Sequence, residues 1–329
     1  MPAFKGPREA AEPPAAAPAP AVYDGLELAG VCKAYGGLFG PVVPALTDVT
    51  LSLPGGSVVG VAGPNGAGKS TLLSILTGFL ATTGGTARIY GLPPREYASR
   101  RGVAYLPELV RLPPDWTVTA ALERLGLLGG LAGAPLARRV AAAAAEMGLA
   151  DYASAVVGRL SKGTLQRLGI AQMLLSDSAL MVFDEPSNGL DPVWLMRFRE
   201  LVRGLRRPDR LIVIASHNLD ELDRLTDSVA ILRQGRLERV VRHALCAPDA
   251  AAPRVFRLKL LKPCAALAGV FPGAAPVAGR ETEYLLEAGA VQLNNGLLKL
   301  LGAGAVILAL QPEQSGLERA FSAAVEEPL

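Results

Sequence analysis

Short apolar runs recur along the middle of the chain, and each has the length of a single strand. The predicted strands lie at residues 57–62, 86–90, 102–105, 180–183, 211–215 and 229–233. Apolar positions at helical spacing follow some of these runs, as over residues 72–76, and a helix is also predicted from residue 160 to about 175. Buried strands that alternate with helices favour an α/β fold.

The segment before the first of these strands has a different pattern. Residues 26–53 read as antiparallel strands around a loop rich in Gly and Pro at residues 36–44. Val49, Leu51 and Leu53 alternate with polar neighbours, which is the period of a half-buried strand. We therefore expect an antiparallel β subdomain next to the α/β core.

A helical insertion is predicted between strands of the core. Residues 117–150 are rich in Ala and Leu, and Gly129, Gly130 and Gly133 interrupt the run. The insertion defines a helical subdomain over about residues 107–176 within a nucleotide-binding domain of residues 23–240.

The two ends of the chain carry no recognisable chemistry. Residues 1–22 are mostly Pro and Ala and are expected to be a disordered tail. A Pro/Ala-rich linker is predicted at residues 241–253, followed by a small α+β accessory domain at residues 254–329. Its predicted elements are strands at 256–260, 281–287 and 305–310 and helices at 291–302 and 315–325.

The strongest chemical signal is the segment between the strand at 57–62 and the helix after it. It reads Gly63, Pro64, Asn65, Gly66, Ala67, Gly68, Lys69, Ser70, Thr71. Glycines let successive backbone N–H groups point inward, and the helix N-terminus adds a positive dipole end. Lys69 can reach the β- and γ-phosphates, and the Ser70 hydroxyl can ligate Mg²⁺. An ordinary glycine turn is the alternative, but strand, turn and helix together predict a nucleotide site.

A second cluster follows the strand at 180–183. Asp184 and Glu185 form an acidic pair at a buried strand end, which is unfavourable unless a cation compensates it. Asp184 is placed to hold Mg²⁺ and Glu185 to polarise the attacking water. His217 follows the strand at 211–215, at the edge where open α/β sheets bind ligands, and could contact the γ-phosphate or orient Glu185. Solvated carboxylates and a structural histidine are the alternatives.

One aromatic residue is a candidate for base stacking. Tyr35 opens the loop at residues 36–44, and its ring could stack on a purine. Taken alone, this residue is better explained as a buried or surface tyrosine with no ligand.

Composition narrows the possible partners. The chain has 329 residues, with 33 Lys and Arg against 30 Asp and Glu, and the formal net charge of +3 gives no argument for nucleic acid. No apolar run reaches the roughly 18 residues of a membrane span, and Glu9 and Glu12 interrupt any signal-peptide core. The three cysteines are isolated, which fits a reducing compartment. We expect a soluble protein that would act on a membrane only through a partner.

Taken together, these motifs resemble the ATP-binding cassette (ABC) ATPases over about residues 26–240. The order matches: an aromatic at Tyr35, the phosphate loop, a turn at Glu108, a signature segment at 160–167, the Asp184–Glu185 pair and then His217. Residues 187–191 resemble the loop that crosses to the opposite subunit. The resemblance implies a P-loop NTPase core that binds ATP with Mg²⁺.

The family also implies roles for residues outside the phosphate loop. Ser161 and the Gly163 backbone would contact the γ-phosphate held by a second copy, and Asp191 would lie at the same interface. Glu108 would ligate Mg²⁺ together with Ser70 and Asp184, in place of the usual glutamine.

The signature segment departs from the family pattern. It usually reads Leu-Ser-Gly-Gly-Gln, and here Lys162 and Thr164 replace a Gly and the Gln. Ser161 and Gly163 are retained.

The closer resemblance is to the ATPase subunits of bacterial multidrug, polysaccharide and antibiotic exporters. They often carry a C-terminal domain with a Ser-Leu-Glu-aromatic motif, which residues 315–321 resemble. It implies an ATP-sandwich homodimer, a separate polytopic permease, and a cytoplasmic location on the inner face of the membrane, with no direct nucleic-acid partner. The alternatives are a soluble ABC ATPase acting on ribosomes or DNA, or a nucleotide-sensing regulator that barely hydrolyses ATP.

Overall fold

The computed structural model describes residues 25–36, 41–242 and 254–312. Its strands are β1 (Gly25–Tyr35), β2 (Val43–Pro54), β3 (Val58–Ala62), β4 (Gly84–Ile89), β5 (Ala104–Leu106), β6 (Leu180–Asp184), β7 (Leu211–Ala215), β8 (Ser228–Arg233), β9 (Arg236–Arg242), β10 (Arg254–Leu260), β11 (Ala275–Val277), β12 (Arg280–Ala288) and β13 (Ile307–Pro312). Its α-helices are α1 (Lys69–Leu76), α2 (Pro94–Arg101), α3 (Val118–Leu128), α4 (Gly133–Glu146), α5 (Lys162–Met173), α6 (Pro192–Gly204), α7 (Leu219–Leu225), α8 (Leu267–Val270) and α9 (Ala290–Gly302).

A six-stranded sheet in the order β5-β6-β7-β3-β8-β9 forms the centre of the core. Strands β5, β6, β7, β3 and β8 are parallel, and β9 closes one edge as an antiparallel strand. Every residue of β3, β6 and β7 is buried. Strands covered on both faces need continuous apolar runs, which is why the sequence pattern identified them. The predicted α/β core is confirmed.

Alternate residues of the central strands enter two different hydrophobic clusters. Val58 belongs to the cluster that contains the buried faces of α3, α4 and α5. Val59 and Val61 belong to the cluster shared with α1 and the antiparallel subdomain. The sheet therefore separates the helical insertion from the subdomain at residues 25–54, because successive side chains of a strand point to opposite faces.

The antiparallel subdomain is a three-stranded sheet in the order β2-β1-β4. Strand β1 pairs antiparallel with β2 and with β4, and the pairing brings Tyr35 opposite Val43. The predicted antiparallel strands at residues 26–53 are confirmed. The predicted strand at 86–90 is shifted to Gly84–Ile89, because Tyr90 adopts a left-handed φ of 46° and turns the chain away.

The helical insertion contains α3 and α4, as expected for residues 117–150. Thr117 caps α3 by accepting a hydrogen bond from the Ala120 N–H, and α3 and α4 bury Leu122, Leu136 and Val140. Helix α2 was not predicted. This helix ends at Gly102, which has a φ of 72°, so strand β5 begins only at Ala104, two residues after the predicted start.

Residues 254–312 form a four-stranded antiparallel sheet, in the order β11-β12-β10-β13, with its own hydrophobic cluster around Leu258, Leu286 and Leu300. Strand β13 begins at Ile307, later than the predicted residue 305, because the Ala305 N–H still bonds the Leu300 carbonyl at the end of α9. The predicted tail at 1–22 and helix at 315–325 lie outside the described residues, as does the predicted linker beyond Arg242.

Within the described ranges, no helix combines the length and apolarity needed to cross a bilayer.

Candidate nucleotide-binding site

The phosphate loop runs from the end of β3 to the first residue of α1. Gly68 precedes the helix with φ 101°, and a Cβ there would lie 2.7 Å from the Ala45 carbonyl oxygen. An L-amino acid with a side chain would therefore meet both backbone strain and a clash. The loop closes through a hydrogen bond from the Ala67 N–H to the Pro64 carbonyl, at 3.1 Å. This glycine is what allows β3 to turn directly into a helix N-terminus.

Lys69 is a buried cation that has no carboxylate partner in the described part of the chain. Its side chain is 8% exposed, and its Nζ donates to the carbonyls of Gly63 at 2.6 Å and Pro64 at 3.3 Å. Among the described residues no Asp or Glu oxygen lies within 4.0 Å of this ammonium group. A buried charge of this kind is costly unless an opposite charge compensates it. Together with the N-terminus of α1, Lys69 fits a polyphosphate group.

Acidic and hydroxyl oxygens face the phosphate loop. Burial, together with the nearby Glu108 and Glu185 carboxylates, raises the pKa of Asp184 to about 6, against a hydrogen bond from Ser70 and the charge of Lys69, which lower it. Clustered oxygen donors of this kind are the ligands that Mg²⁺ prefers. The described residues contain no group of three or more His, Cys, Asp and Glu that could hold a metal by itself. A divalent ion here would therefore need phosphate oxygens or water as additional ligands.

Glu185 and His217 form a hydrogen-bonded pair at the end of β6 and β7. The Glu185 Oε2 lies 2.8 Å from His217 Nδ1 and accepts from the Ser216 hydroxyl at 3.2 Å. The backbone N–H of His217 donates to Glu185 Oε1 at 3.0 Å. Glu185 has a left-handed φ of 48°, which is uncommon for a residue with a side chain. The carboxylate is thus fixed in orientation by three donors, while the imidazole stays 63% exposed at the cavity mouth.

One cavity of about 530 Å³ brings most of the predicted site residues together. It is lined by Ala45, Asn65, Gly66, Ala67, Gly68, Lys69, Ser70, Thr71, Glu108, Asp184, Glu185 and His217. Gly63 and Pro64 lie next to it, since their carbonyls bond Lys69. Besides these two, four further predicted ATP contacts do not line the cavity: Tyr35, Ser161, Gly163 and Asp191.

Tyr35 lies beside the cavity rather than in its wall. Its ring is 44% exposed, its hydroxyl lies 3.3 Å from the Thr71 hydroxyl, and Lys33 Nζ is 5.6 Å from the ring centroid. An exposed ring anchored at the end of the phosphate loop has a face available for a base.

The signature segment is built on the N-terminus of α5. Ser161 caps the helix by accepting a hydrogen bond from the Thr164 N–H at 3.1 Å, and Ser161 itself is exposed. A Cβ on Gly163 would lie 2.6 Å from the Gly189 carbonyl oxygen, so only glycine permits this approach to the loop at 187–191. Asp191 caps α6 through the Trp194 N–H at 2.9 Å. All three residues lie outside the cavity lining; Ser161 and Asp191 are exposed, and Gly163 is half-buried.

Two residues near Glu185 were missed by the sequence analysis. Buried Gln166 donates from Nε2 to the carbonyls of Pro186 at 3.1 Å and Glu185 at 3.4 Å. It thereby fixes the backbone that carries the Glu185 carboxylate. Ser216 donates to the Glu185 carboxylate. A polar residue inside the apolar face of α5 was the only sequence signal for Gln166, whereas Ser216 directly precedes His217.

A parallel sheet that presents a phosphate loop and a strand-end acidic pair around one cavity is the architecture of a P-loop NTPase. The chain belongs to the ATP-binding proteins of ABC transporters. Residues 46–188 match the ABC transporter family. The chain is an ATPase of this family, and the predicted family resemblance is confirmed.

Several relatives support the assignment. The Nod factor export ATP-binding protein I of Cupriavidus pinatubonensis is 34% identical over 226 residues, which cover 68% of each chain. The lantibiotic transport ATP-binding protein SrtF of Streptococcus pyogenes is 33% identical over 198 residues, covering 58% of this chain and 82% of that one. A solved ATP-binding subunit of an ABC transporter superposes with a TM-score of 0.59 and 28% identity over 66% of this chain and 90% of that one. A dimeric bacterial ABC cassette shares the fold, with a TM-score of 0.61 and 24% identity over 68% of this chain and 99% of that one.

Proposed function

We propose that two copies of this chain close around two ATP molecules and so power an exporter whose membrane permease is a separate polytopic protein. The chain would lie in the cytoplasm, bound to the inner face of the membrane through that permease. The relatives support export, since they include a Nod factor export protein and a lantibiotic transport protein.

The observation that carries the sandwich is the separation of two phosphate-binding elements. Lys69 lines the cavity, whereas Ser161 and Gly163 do not line it and lie at the N-terminus of α5, where Ser161 is exposed. A γ-phosphate held by Lys69 of one copy would meet the signature segment only from a second copy. Because each copy offers both surfaces, the contact would be isologous and the dimer symmetric.

The residues at the cavity support separate roles in ATP hydrolysis. Glu185 is oriented by Ser216 and His217 and would accept a proton from the attacking water. Lys69 and the loop N–H groups would bind the β- and γ-phosphates. Ser70, Asp184 and Glu108 would hold Mg²⁺, which neutralises phosphate charge when it is bound. Tyr35 would stack on the adenine, and Asp191 would lie at the dimer interface.

An apolar groove on the core supports docking of a membrane partner. It has a volume of about 600 Å³, and its lining includes Phe79, Tyr105, Leu125, Leu131 and Met173. Phe79 is 71% exposed although its ring contacts Tyr105 at a centroid distance of 5.8 Å. Because Tyr105 lies three residues before Glu108, a segment in this groove would be linked to the cavity through one short turn.

The alternatives fit less well. Relatives of this chain are named as ATP-binding proteins of transporters, which favours a permease over a ribosome or DNA as partner. A regulator that barely hydrolyses ATP would not require the Glu185 carboxylate to be oriented by three donors.

The first test is Glu185→Gln, with exposed Glu123→Gln as the matched control. We expect ATP turnover to fall by about 10²–10⁴-fold in Glu185→Gln, because the general base is lost, and to be unchanged in the control. Light scattering should show a stable dimer of Glu185→Gln with ATP and a monomer without it. Unchanged phosphate release would contradict the role of Glu185, and a monomer in ATP would contradict the sandwich.

The partner is tested by co-purification from detergent-solubilised host membranes with Glu185→Gln and ATP as bait. We expect a polytopic membrane protein in about equal amount, lost in Phe79→Asp and retained when exposed Leu298 on α9 is changed to Asp. Ribosomal or DNA-bound partners would instead favour the soluble alternative.

A further inference from the structure

The signature segment contains a residue whose role the family pattern does not explain. Thr164 stands where the family has glutamine, and its side chain is 5% exposed. We propose that Thr164 is a positioning residue that keeps the hydroxyl proton of Ser161 free to donate to the γ-phosphate bound by a second copy. This inference rests on the ATP-sandwich dimer of the proposed function.

The contacts of Thr164 form a short chain of hydrogen bonds. Its Oγ1 lies 2.9 Å from Ser161 Oγ and accepts from Arg167 Nη2 at 3.2 Å. Its backbone N–H donates to the same Ser161 Oγ at 3.1 Å. Thr164 thus contacts the Ser161 oxygen twice, once from the backbone and once from the side chain.

Burial decides which of the two hydroxyls donates. A buried hydroxyl that leaves its proton unpaired is unfavourable, and among the described residues Ser161 Oγ is the only acceptor in reach of the Thr164 hydroxyl. Ser161 is exposed, so its own proton can be used outside the protein. Thr164 therefore donates and Ser161 accepts.

The consequence for Ser161 follows from counting its hydrogen-bonding groups. A serine hydroxyl has two acceptor lone pairs and one donor proton. The N–H and the hydroxyl of Thr164 use both lone pairs, so only the donor remains. An exposed hydroxyl that can only donate is suited to an anionic oxygen.

Arg167 keeps Thr164 in this orientation. Its Nη1 donates to the carbonyls of Met147 and Gly148, each at 3.0 Å, and its guanidinium lies 4.3 Å from the centroid of the Trp194 ring. Arginine has only donors, so in this contact Thr164 Oγ1 must be the acceptor. The Thr164 proton therefore points away from Arg167 and towards Ser161. The end of α4 and the start of α6 are thereby connected to the signature hydroxyl.

The test measures ATP-driven dimerisation in the Glu185→Gln background, where ATP persists. Thr164→Val removes the hydroxyl at similar volume, and we expect the half-maximal ATP concentration for dimerisation to rise about tenfold, the value of one charge-assisted hydrogen bond. Thr164→Ser should restore the parent value. Thr119→Val, which removes a helical threonine hydroxyl bonded to the Ala153 carbonyl, is the matched control and should change nothing.

Two readouts separate positioning from a general loss of structure. ATP binding to the dilute monomer should be equal in all variants, because the phosphate loop is untouched. In a double-mutant cycle with Ser161→Ala, Thr164→Val should add no further loss, since both changes act through one hydroxyl. If Thr164→Val does not fold, Thr164→Ala serves in the same cycle.

The outcomes are distinguishable. Dimerisation of Thr164→Val at the parent ATP concentration, or additive losses in the cycle, would overturn the role of Thr164 while leaving the dimer intact. A Glu185→Gln parent that stays monomeric in ATP would overturn the dimer, and the inference with it.

Discussion

The buried carboxyl group of Asp184 should make the nucleotide-free protein less stable than it could be. Its residue surface is 4% exposed, and its pKa is raised to about 6 by burial and by the neighbouring Glu108 and Glu185 carboxylates. Asp184→Asn replaces it with a neutral side chain that can still accept a hydrogen bond from Ser70. We therefore expect the variant to be more stable at neutral pH and yet to lose Mg²⁺-dependent ATP hydrolysis.

The sign and the magnitude follow from proton linkage. Between pH 3.8 and about 6 the folded protein binds more protons at Asp184 than the unfolded chain, so the free energy of unfolding falls as the pH rises through this window. A shift from 3.8 to about 6 corresponds to about 3 kcal/mol at roughly 1.4 kcal/mol per pKa unit. Asp184→Asn should therefore be about 3 kcal/mol more stable than the parent above pH 6, and about equal to it below pH 4.

The assay is urea unfolding of the nucleotide-free protein in EDTA at several pH values from 4 to 8. Exposed Asp115→Asn is the matched control and should follow the parent at every pH. Adding Mg²⁺ and ATP should stabilise the parent more than Asp184→Asn, because the bound ion compensates the carboxylate charge. Equal stability of parent and variant at pH 7.5, or a variant that is less stable there, would refute the electrostatic argument.

Three further changes test single contacts. Gln166→Met leaves the buried carbonyls of Glu185 and Pro186 without their donor, and we expect kcat to fall by about five- to tenfold with little change in the KM for ATP. Gly163→Ala places a methyl group 2.6 Å from the Gly189 carbonyl oxygen. We expect light scattering to show weaker ATP-induced dimerisation of this variant, while its monomer still binds ATP. Tyr35→Ala should weaken ATP binding by about tenfold in equilibrium titration, whereas Tyr35→Phe should not, because base stacking needs the ring and not the hydroxyl. Equal losses in both variants would exclude stacking.

Much of the fold was accessible from the sequence because the pattern was strong. Continuous apolar runs identify the central strands, which are buried on both faces, and the phosphate loop is specified by residues adjacent in the chain. Elements without such a pattern were missed. Helix α2 buries only Tyr97, and helices α6 and α7 follow loops whose polar caps, Asp191 and Asn218, give no sign of the length of the helix beyond them.

The candidate site shows the same limit. Glu185 and His217 were both identified, but their hydrogen bond was one of two options, because a contact between residues 32 positions apart depends on the pairing of β6 with β7. Gln166 was missed since its partners are backbone carbonyls, which every residue has.

The sequence by itself determined the local chemistry of this protein: the loop that can bind phosphates, the acidic pair at a strand end and the family to which they belong. Only the tertiary structure decided which of these groups meet. It placed Lys69, Asp184 and Glu185 around one cavity and left Ser161 on an exposed surface outside it. The physical reason is that spacing along the chain specifies local backbone geometry, whereas distances between elements depend on how the strands pair and how the helices pack against them.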